Sequence, residues 1–306
     1  RVVVESALSC AVREIDPPCP SCTAGRFTLC QNFRTGPLPV GSMIGWNTFT
    51  AGSWAPFFVA HESQLYRVPD AVGDDIAVLV DPLAGGLHAV LRQIPGDRDT
   101  VLILGAGFVG LSVAASLRAL GSKCRVAAVV RHVRQAELMR RFGADDVIHV
   151  YRADSQAVRY DKVAPLVGGT VVPSKFGHQA FFGGFDYVYD CVGTGQSLTD
   201  AMKYARPRGT VVEVGTSQIG LVDTAPLWLD ELNHIGANGR AFERHDGRRL
   251  HTYELAFELI LQGRINLAGL LTHRFRLDQY KEAFRTLSCR GAPGAGQVGL
   301  VPGPTT

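Results

Sequence analysis

Two sets of residues in this 306-residue chain have types and spacings suited to chemistry. The first is Gly105-Ala106-Gly107-Phe108-Val109-Gly110, a G-x-G-x-x-G string. It follows an apolar run at 101–104 and precedes Val109, Val113, Leu117 and Leu120, which recur at helical spacing. The pattern predicts strand, tight turn and helix. In that setting Gly105 permits the turn, Gly107 clears the side chain where backbone must approach a diphosphate, and Gly110 lets helix close on strand. The unpaired N–H groups and positive end of such a helix attract phosphate. A strand–helix turn that merely prefers glycine is the plainer alternative. The flanking strand and helix favour a dinucleotide, NAD or NADP.

The next strand, expected at 126–130, runs into Arg131 and His132, with Arg134 close behind. A carboxylate about 20 positions past the glycines would bind the ribose hydroxyls of NAD. None stands here, and Arg131 suits the 2′-phosphate of NADP, which is therefore favoured. The alternative for Arg131 is an ordinary exposed loop residue.

The second set is Cys10, Cys19, Cys22 and Cys30, spaced C-x8-C-x2-C-x7-C and drawn from seven cysteines in all. Four thiolates in one loop suit a closed, tetrahedral structural zinc. Two disulfides, or four unrelated thiols, are the alternatives. No secretory signal is apparent, which points to a reducing cytoplasm and to zinc. The remaining Cys124, Cys191 and Cys289 are scattered and read as core or near-surface thiols.

These residues need elements to hold them. Residues 1–80 are rich in Pro, Gly and short apolar runs, and predict an irregular β domain with strands at 2–4, 43–46 and 57–60. Beyond Asp81 the texture changes to alternating strands and helices. Strands are expected at 101–104, 126–130, 147–150, 187–189, 211–214 and 235–237, with helices between, as in a parallel sheet covered on both faces. Residues 159–185 interrupt this rhythm and read as an inserted excursion, with a short hairpin in it. From Arg240 the pattern turns helical, with amphipathic stretches at 251–262 and 278–288 and a closing strand at 300–301.

Taken together, the chain resembles the zinc-containing medium-chain dehydrogenase/reductase family, which includes alcohol, sorbitol and threonine dehydrogenases. The likeness covers nearly the whole chain. It rests on the four-cysteine loop, the glycine turn, Asp81-Pro82-Leu83-Ala84 with Leu87-His88-Ala89-Val90 at the domain junction, Asp190-Cys191-Val192-Gly193, the stretch from Gly209 to Gly215, and Thr272-His273-Arg274-Phe275. The resemblance implies an α/β fold: a Rossmann doubly wound parallel sheet plus a partial GroES-like β domain. The expected divisions are 1–85 for the β domain with its zinc lobe, 86–240 for the dinucleotide domain and 241–306 for a return to the β domain. It implies hydride transfer between a nicotinamide cofactor and an alcohol or carbonyl substrate, usually at a catalytic zinc. By the same resemblance Val192, Gly215 and Thr216 line the nicotinamide half of the cofactor site. Asp81 matches a carboxylate or cysteine at the catalytic zinc, although Asp81-Pro82 also reads as a helix cap. His88 becomes a polar contact or proton relay, with a buried structural histidine as the plainer reading. A homodimer or homotetramer is implied, paired through the strand at 235–237.

The sequence departs from that family in two places. The family's other catalytic zinc ligands, a cysteine and a histidine, precede its zinc lobe, and no such cysteine is present. His61-Glu62 falls instead on a later strand. The expectation is that sequence upstream of Arg1 is absent from this chain. The gap from Cys10 to Cys19 is also longer than the family's common spacing. Two other functions remain open: a zinc-independent NADPH quinone or enone reductase, and a cofactor-binding relative without catalysis.

Composition bounds the rest. With 46% apolar and 19% charged residues, the chain is globular. The net charge of +3 is too small an excess to argue for nucleic acid. The apolar stretch at 100–117 is broken by three glycines and reads as a strand turning into a helix, so no membrane partner is expected.

Overall fold

The computed structural model describes residues 1–46, 49–174, 179–216, 219–288 and 297–301. The chain divides into two compact units: Arg1–Ala84 together with Gly239–Thr306, and Gly85–Asn238. Cys289 lies outside the described residues.

In the first unit the elements are β1 (Val2–Val4), α1 (Pro20–Thr23), β2 (Leu65–Arg67), α2 (Asp74–Ala77) and the start of α3 (Val80–Arg92). In the second, α3 continues into β3 (Thr100–Leu104), α4 (Phe108–Ala119), β4 (Arg125–Val130), α5 (Val133–Arg141) and β5 (Asp146–His149). Then come α6 (Gln156–Val163), β6 (Thr170–Pro173), β7 (Gln179–Phe182), β8 (Phe185–Asp190), α7 (Gly195–Tyr204), β9 (Ala205–Glu213), α8 (Ala225–Leu229) and β10 (Asn233–Gly236). The chain returns to the first unit with β11 (Phe242–His245), β12 (Arg248–His251), α9 (Thr252–Leu261), β13 (Leu271–Arg276), α10 (Tyr280–Ser288) and β14 (Gln297–Val301).

The second unit is built on a six-stranded sheet in the order β10-β9-β8-β3-β4-β5, every neighbouring pair parallel. Counted within this unit's sheet and read from β5, the order is 3-2-1-4-5-6, the doubly wound arrangement of dinucleotide-binding domains. The strand order reverses between β3 and β8, whose last residues Leu104 and Asp190 pair, so the connections leaving them run to opposite faces of the sheet, the place where such folds bind their ligands. Continuous apolar runs make these strands because both faces are covered: Val101, Leu102 and Ile103 are all fully buried. α4 is almost entirely buried as well, which explains its Ala and Ser content. A Cβ on Gly86 of α3 would sit 2.5 Å from the Ser112 Cβ of α4, so that glycine sets how closely the two helices pack. The excursion holds an antiparallel β6–β7 hairpin, with Val171 opposite Phe181. Phe181 meets Tyr160 and Tyr204 edge-on at 6.0 and 5.3 Å, which docks the hairpin on the core.

The first unit is less regular. Its strands pair two by two: β1 with β2 and β11 with β12 antiparallel, β13 with β14 parallel. Three expectations are corrected here. At 43–46 there is only an isolated bridge from Met43 to Ala7, followed by a turn. At 57–60 no strand forms, and Phe57 and Val59 are largely exposed. β propensity supplies no ladder without a partner strand, and none lies beside them among the described residues. His61, expected on a strand, instead caps a 3-10 turn, its Nδ1 accepting from the Ser63 N–H at 3.1 Å. Third, 242–251 forms the β11–β12 hairpin before the helix begins. Its turn at Asp246-Gly247 was an available signal, since both residues take positive φ.

Candidate functional site

The glycine turn sits at the C-terminal end of β3. Gly105 has φ +93°, and a Cβ there would also meet Val192 Cγ2 at 2.6 Å. Gly110 lies in the first turn of α4, where a Cβ would fall 1.9 Å from the Gly105 carbonyl oxygen. Gly107 differs from both: it caps α4, no side chain caps the helix, and a Cβ would meet nothing within 4 Å. The helix therefore ends in unsatisfied N–H groups beside open space, which is what a diphosphate requires. Phe108 is buried and Val109 half-buried behind it.

The neighbouring strand ends complete this edge. β8 ends at Asp190, which is fully buried. Its Oδ1 accepts the N–H groups of Val192 and Gly193 at 2.9 and 3.3 Å, and its Oδ2 accepts the Ser197 hydroxyl at 2.9 Å. Its backbone carbonyl takes the N–H groups of Val214 and Gly215, both at 2.9 Å. Burial raises the Asp190 carboxyl above its ordinary value, against the pull of those donors. A Cβ on Gly193 would lie 2.5 Å from the Thr216 carbonyl oxygen, and one on Gly215 would lie 2.6 Å from the Gly193 nitrogen. One buried acid thus binds together the loops carrying Val192, Gly215 and Thr216. Asp190 was only part of a quoted motif in the sequence. The available signal was a carboxylate ending an apolar strand, with Ser197 and its capping threonine, Thr194, just beyond.

Arg131, at the end of β4, is exposed, and its backbone N–H donates to Gln135 Oε1 at 3.0 Å. Gln135 also accepts the His132 N–H at 3.1 Å, so one side chain shapes the turn that presents Arg131. His88 is 7% exposed, within α3.

The four cysteines of the first unit converge. Their sulfurs all lie within 4.8 Å of one another, with Cys10 and Cys30 3.7 Å apart. A tetrahedral zinc with Zn–S bonds of about 2.3 Å separates its sulfurs by about 3.8 Å, so the cluster fits that ion. Cys10 and Cys30 are too far apart for a disulfide, and all four are free thiols. Backbone N–H groups already point at the sulfurs, as thiolates require: Cys19 N to Cys10 Sγ at 3.3 Å and Gln31 N to Cys19 Sγ at 3.4 Å. Burial opposes ionisation at Cys19, yet the backbone N–H groups of Gln31 and Cys22 and the neighbouring thiols of Cys22 and Cys10 bring it down to about 6. Burial pushes the Cys22 and Cys30 thiols up.

The long Cys10–Cys19 gap is held by Arg13, a fully buried residue that the sequence reading passed over. Its guanidinium donates to the carbonyls of Thr35, Leu38, Pro39 and Gly41 at 2.6 to 3.0 Å. The insertion therefore folds against 35–41 and leaves the sulfurs together.

Asp81 lies inside the first turn of α3, since the helix begins two residues earlier than the cap reading supposed. Its Oδ1 accepts from the Tyr253 hydroxyl and stands 2.9 Å from Arg240 Nη1. Among the described residues, only the four cysteines form a group of three or more metal-ligating side chains. The residues present therefore fit a zinc at the cysteine cluster, while Asp81 is held by Tyr253 and Arg240.

Comparison with known proteins bears on the family and the fold. The family described as zinc-binding dehydrogenase matches residues 109–262, half of the chain. A relative from Vitis vinifera, L-idonate 5-dehydrogenase, is 28% identical over 294 residues, which is 95% of this chain and 70% of its own length. A Sinorhizobium meliloti protein crystallised with NADP superposes with a TM-score of 0.67 at 21% identity, covering 99% of this chain and 76% of its own. An Escherichia coli alcohol dehydrogenase complexed with NADH gives 0.71 at 21% identity, covering 97% and 75%. Both structures share the fold.

Proposed function

The chain belongs to the zinc-binding dehydrogenase family, and we propose that it passes a hydride between a nicotinamide dinucleotide and an alcohol or carbonyl substrate. The observation that carries the reading is the open helix end at Gly107, beside the loops that Asp190 ties together. The α4 N–H groups bind the diphosphate without a side chain in the way. Val192, Gly215 and Thr216 form the ledge for the nicotinamide half, and the buried Asp190 keeps that ledge fixed. Arg131 pairs with a 2′-phosphate, which favours NADP over NAD. A zinc at Cys10, Cys19, Cys22 and Cys30 would take all four thiolates and leave no open position, so it would support the lobe and take no part in the reaction.

Oligomerisation through β10 belongs to the same proposal: it is an edge strand of the sheet, paired with β9 alone among the described residues. A reducing, cytoplasmic setting is supported by the free thiols. No described helix is long and apolar enough to cross a membrane.

Calorimetric titration with NAD(H) and NADP(H), followed by turnover with a panel of secondary alcohols, tests the reading. Binding with turnover supports it. Binding without turnover leaves a nucleotide-binding relative, and no heat with either coenzyme on folded protein removes the hydride-transfer account.

A further inference from the structure

The β6–β7 hairpin and the segment that follows the nicotinamide ledge meet on one buried ammonium, that of Lys203 in α7. Lys203 is 9% exposed, although a lysine is ordinarily a surface residue. Its Nζ stands 2.9 Å from Asp223 Oδ2 and donates to the Gln179 carbonyl of β7 at 3.3 Å. Pro173, opposite Gln179 in the hairpin, has no N–H to give, and the ammonium supplies a donor. The Gln179 N–H goes to Gln156 Oε1 at 2.9 Å, so both backbone groups of that residue are held by side chains from outside the hairpin. Asp200, one turn earlier in α7, is engaged by Arg159 and the Tyr160 hydroxyl.

The Asp223 pair is the last of three contacts along one face of α7, where Gly195, Thr199 and Lys203 stand four residues apart. Gly195 leaves no space for a Cβ beside the Leu221 carbonyl. Thr199 Oγ1 accepts the Asp223 N–H at 3.0 Å. Lys203 then takes one oxygen of the Asp223 carboxylate, and the other accepts the Ala225 N–H at 3.0 Å. The same helix holds Asp190, since the Ser197 hydroxyl donates to it, and Asp190 takes the Gly215 N–H. Gly215 and Thr216 are thus tied to α7 from both directions along the chain, by Asp190 before them and Asp223 after. A buried ammonium needs its charge matched, so Lys203 and Asp223 hold each other in place. Without Lys203, the part-exposed Asp223 carboxylate can turn to water and let the segment leave the helix.

We propose that Lys203 is a positioning residue for the nicotinamide half of the coenzyme site: through Asp223 it holds the segment after Thr216 against α7, and the inserted hairpin supplies its second acceptor at Gln179. This rests on the hydride-transfer reading and gives the excursion at 159–185 a role in it.

Calorimetry on the 306-residue chain with two probes tests this. One is NADPH, and the other is 2′-phospho-ADP-ribose, which keeps the adenine half and the diphosphate but lacks the nicotinamide. NADH and ADP-ribose replace them if the wild type binds NADH more tightly. Lys203→Met is expected to weaken the coenzyme roughly fivefold and to leave the fragment within about twofold. Asp223→Asn is expected to do the same, and the double variant to lose no more than either alone. Lys203→Arg, which keeps the charge, is expected to recover part of the loss. A merely structural lysine would spare both probes on folded protein or weaken both alike. Equal effects on the two probes, additive losses, or an arginine no better than methionine overturn the proposal. If Lys203→Met fails to fold, the Asp223→Asn comparison decides it. Wild-type protein that binds neither NADPH nor NADH removes the hydride-transfer reading and this proposal with it, whereas wild-type binding with an unaltered Asp223→Asn variant removes this proposal alone.

Discussion

At Gly110 a single methyl group would be driven to within 1.9 Å of a carbonyl oxygen. Gly110→Ala is therefore expected to lower stability by about 1–3 kcal/mol, the range for overpacking, and to weaken coenzyme binding. Thermal unfolding and calorimetry check both effects, and an unaltered variant would show that helix and strand are not packed as described. Arg131 gives a milder prediction. Because it is exposed, Arg131→Ser is expected to weaken NADPH binding by roughly tenfold and leave NADH within about twofold. Equal losses for both coenzymes would take Arg131 away from the 2′-phosphate. Glu5 makes a prediction in pH. Burial alone would raise its carboxyl, but hydrogen bonds from His251 and Arg240 and the Arg240 charge bring it from 4.5 down to about 2. A carboxyl depressed in the folded state stabilises above its unfolded value and loses that stabilisation as pH falls through its folded value. Stability on the order of 3 kcal/mol is thus expected to disappear between about pH 5 and pH 2. Urea midpoints should fall over that window in the wild type and stay flatter in Glu5→Gln.

Among the elements, the zinc lobe depends on two things: the cysteine spacing and Arg13. The knuckle Cys19-Pro20-Ser21-Cys22 is plain in the sequence, because Pro20 begins a short helix that turns both sulfurs inward. Arg13 is not, because nothing about an arginine in a loop says that four carbonyls will surround it. Arg13→Met removes those bonds to four part-buried carbonyls, and is expected to cost at least about 2 kcal/mol. Zinc release to a chromogenic chelator should be faster in that variant, and an unchanged rate would mean the insertion does not support the lobe. The same contrast holds for strands. Those of the sheet were legible as apolar runs because each is buried on both faces. Runs 43–46 and 57–60 looked equally apolar, yet a strand exists only where another supplies its hydrogen bonds.

For the whole molecule, the division into two compact units assigns the two candidate ligands to different parts of the chain. The dinucleotide turn lies in Gly85–Asn238 and the cysteine cluster in Arg1–Ala84. Coenzyme at 100 times its dissociation constant is expected to stabilise the Gly85–Asn238 unit by about 2.7 kcal/mol. Chelation of zinc is expected to lower the unfolding temperature of the other unit. Hydrogen exchange resolved by segment reads both, and protection confined to the cysteine lobe on adding coenzyme would contradict the assignment.

The sequence by itself determined the repeating strand–helix order, the glycine turn and the cysteine spacing. These are local patterns, in which period, turn geometry and ligand spacing are set by residues close together in the chain. Only the tertiary structure decided that Asp190 binds two loops into one ledge, that Arg13 closes the long cysteine gap, and that Arg240 and Glu5, 235 positions apart, meet at Asp81. Such groups owe their charge state and partners to burial, and burial belongs to the folded chain as a whole.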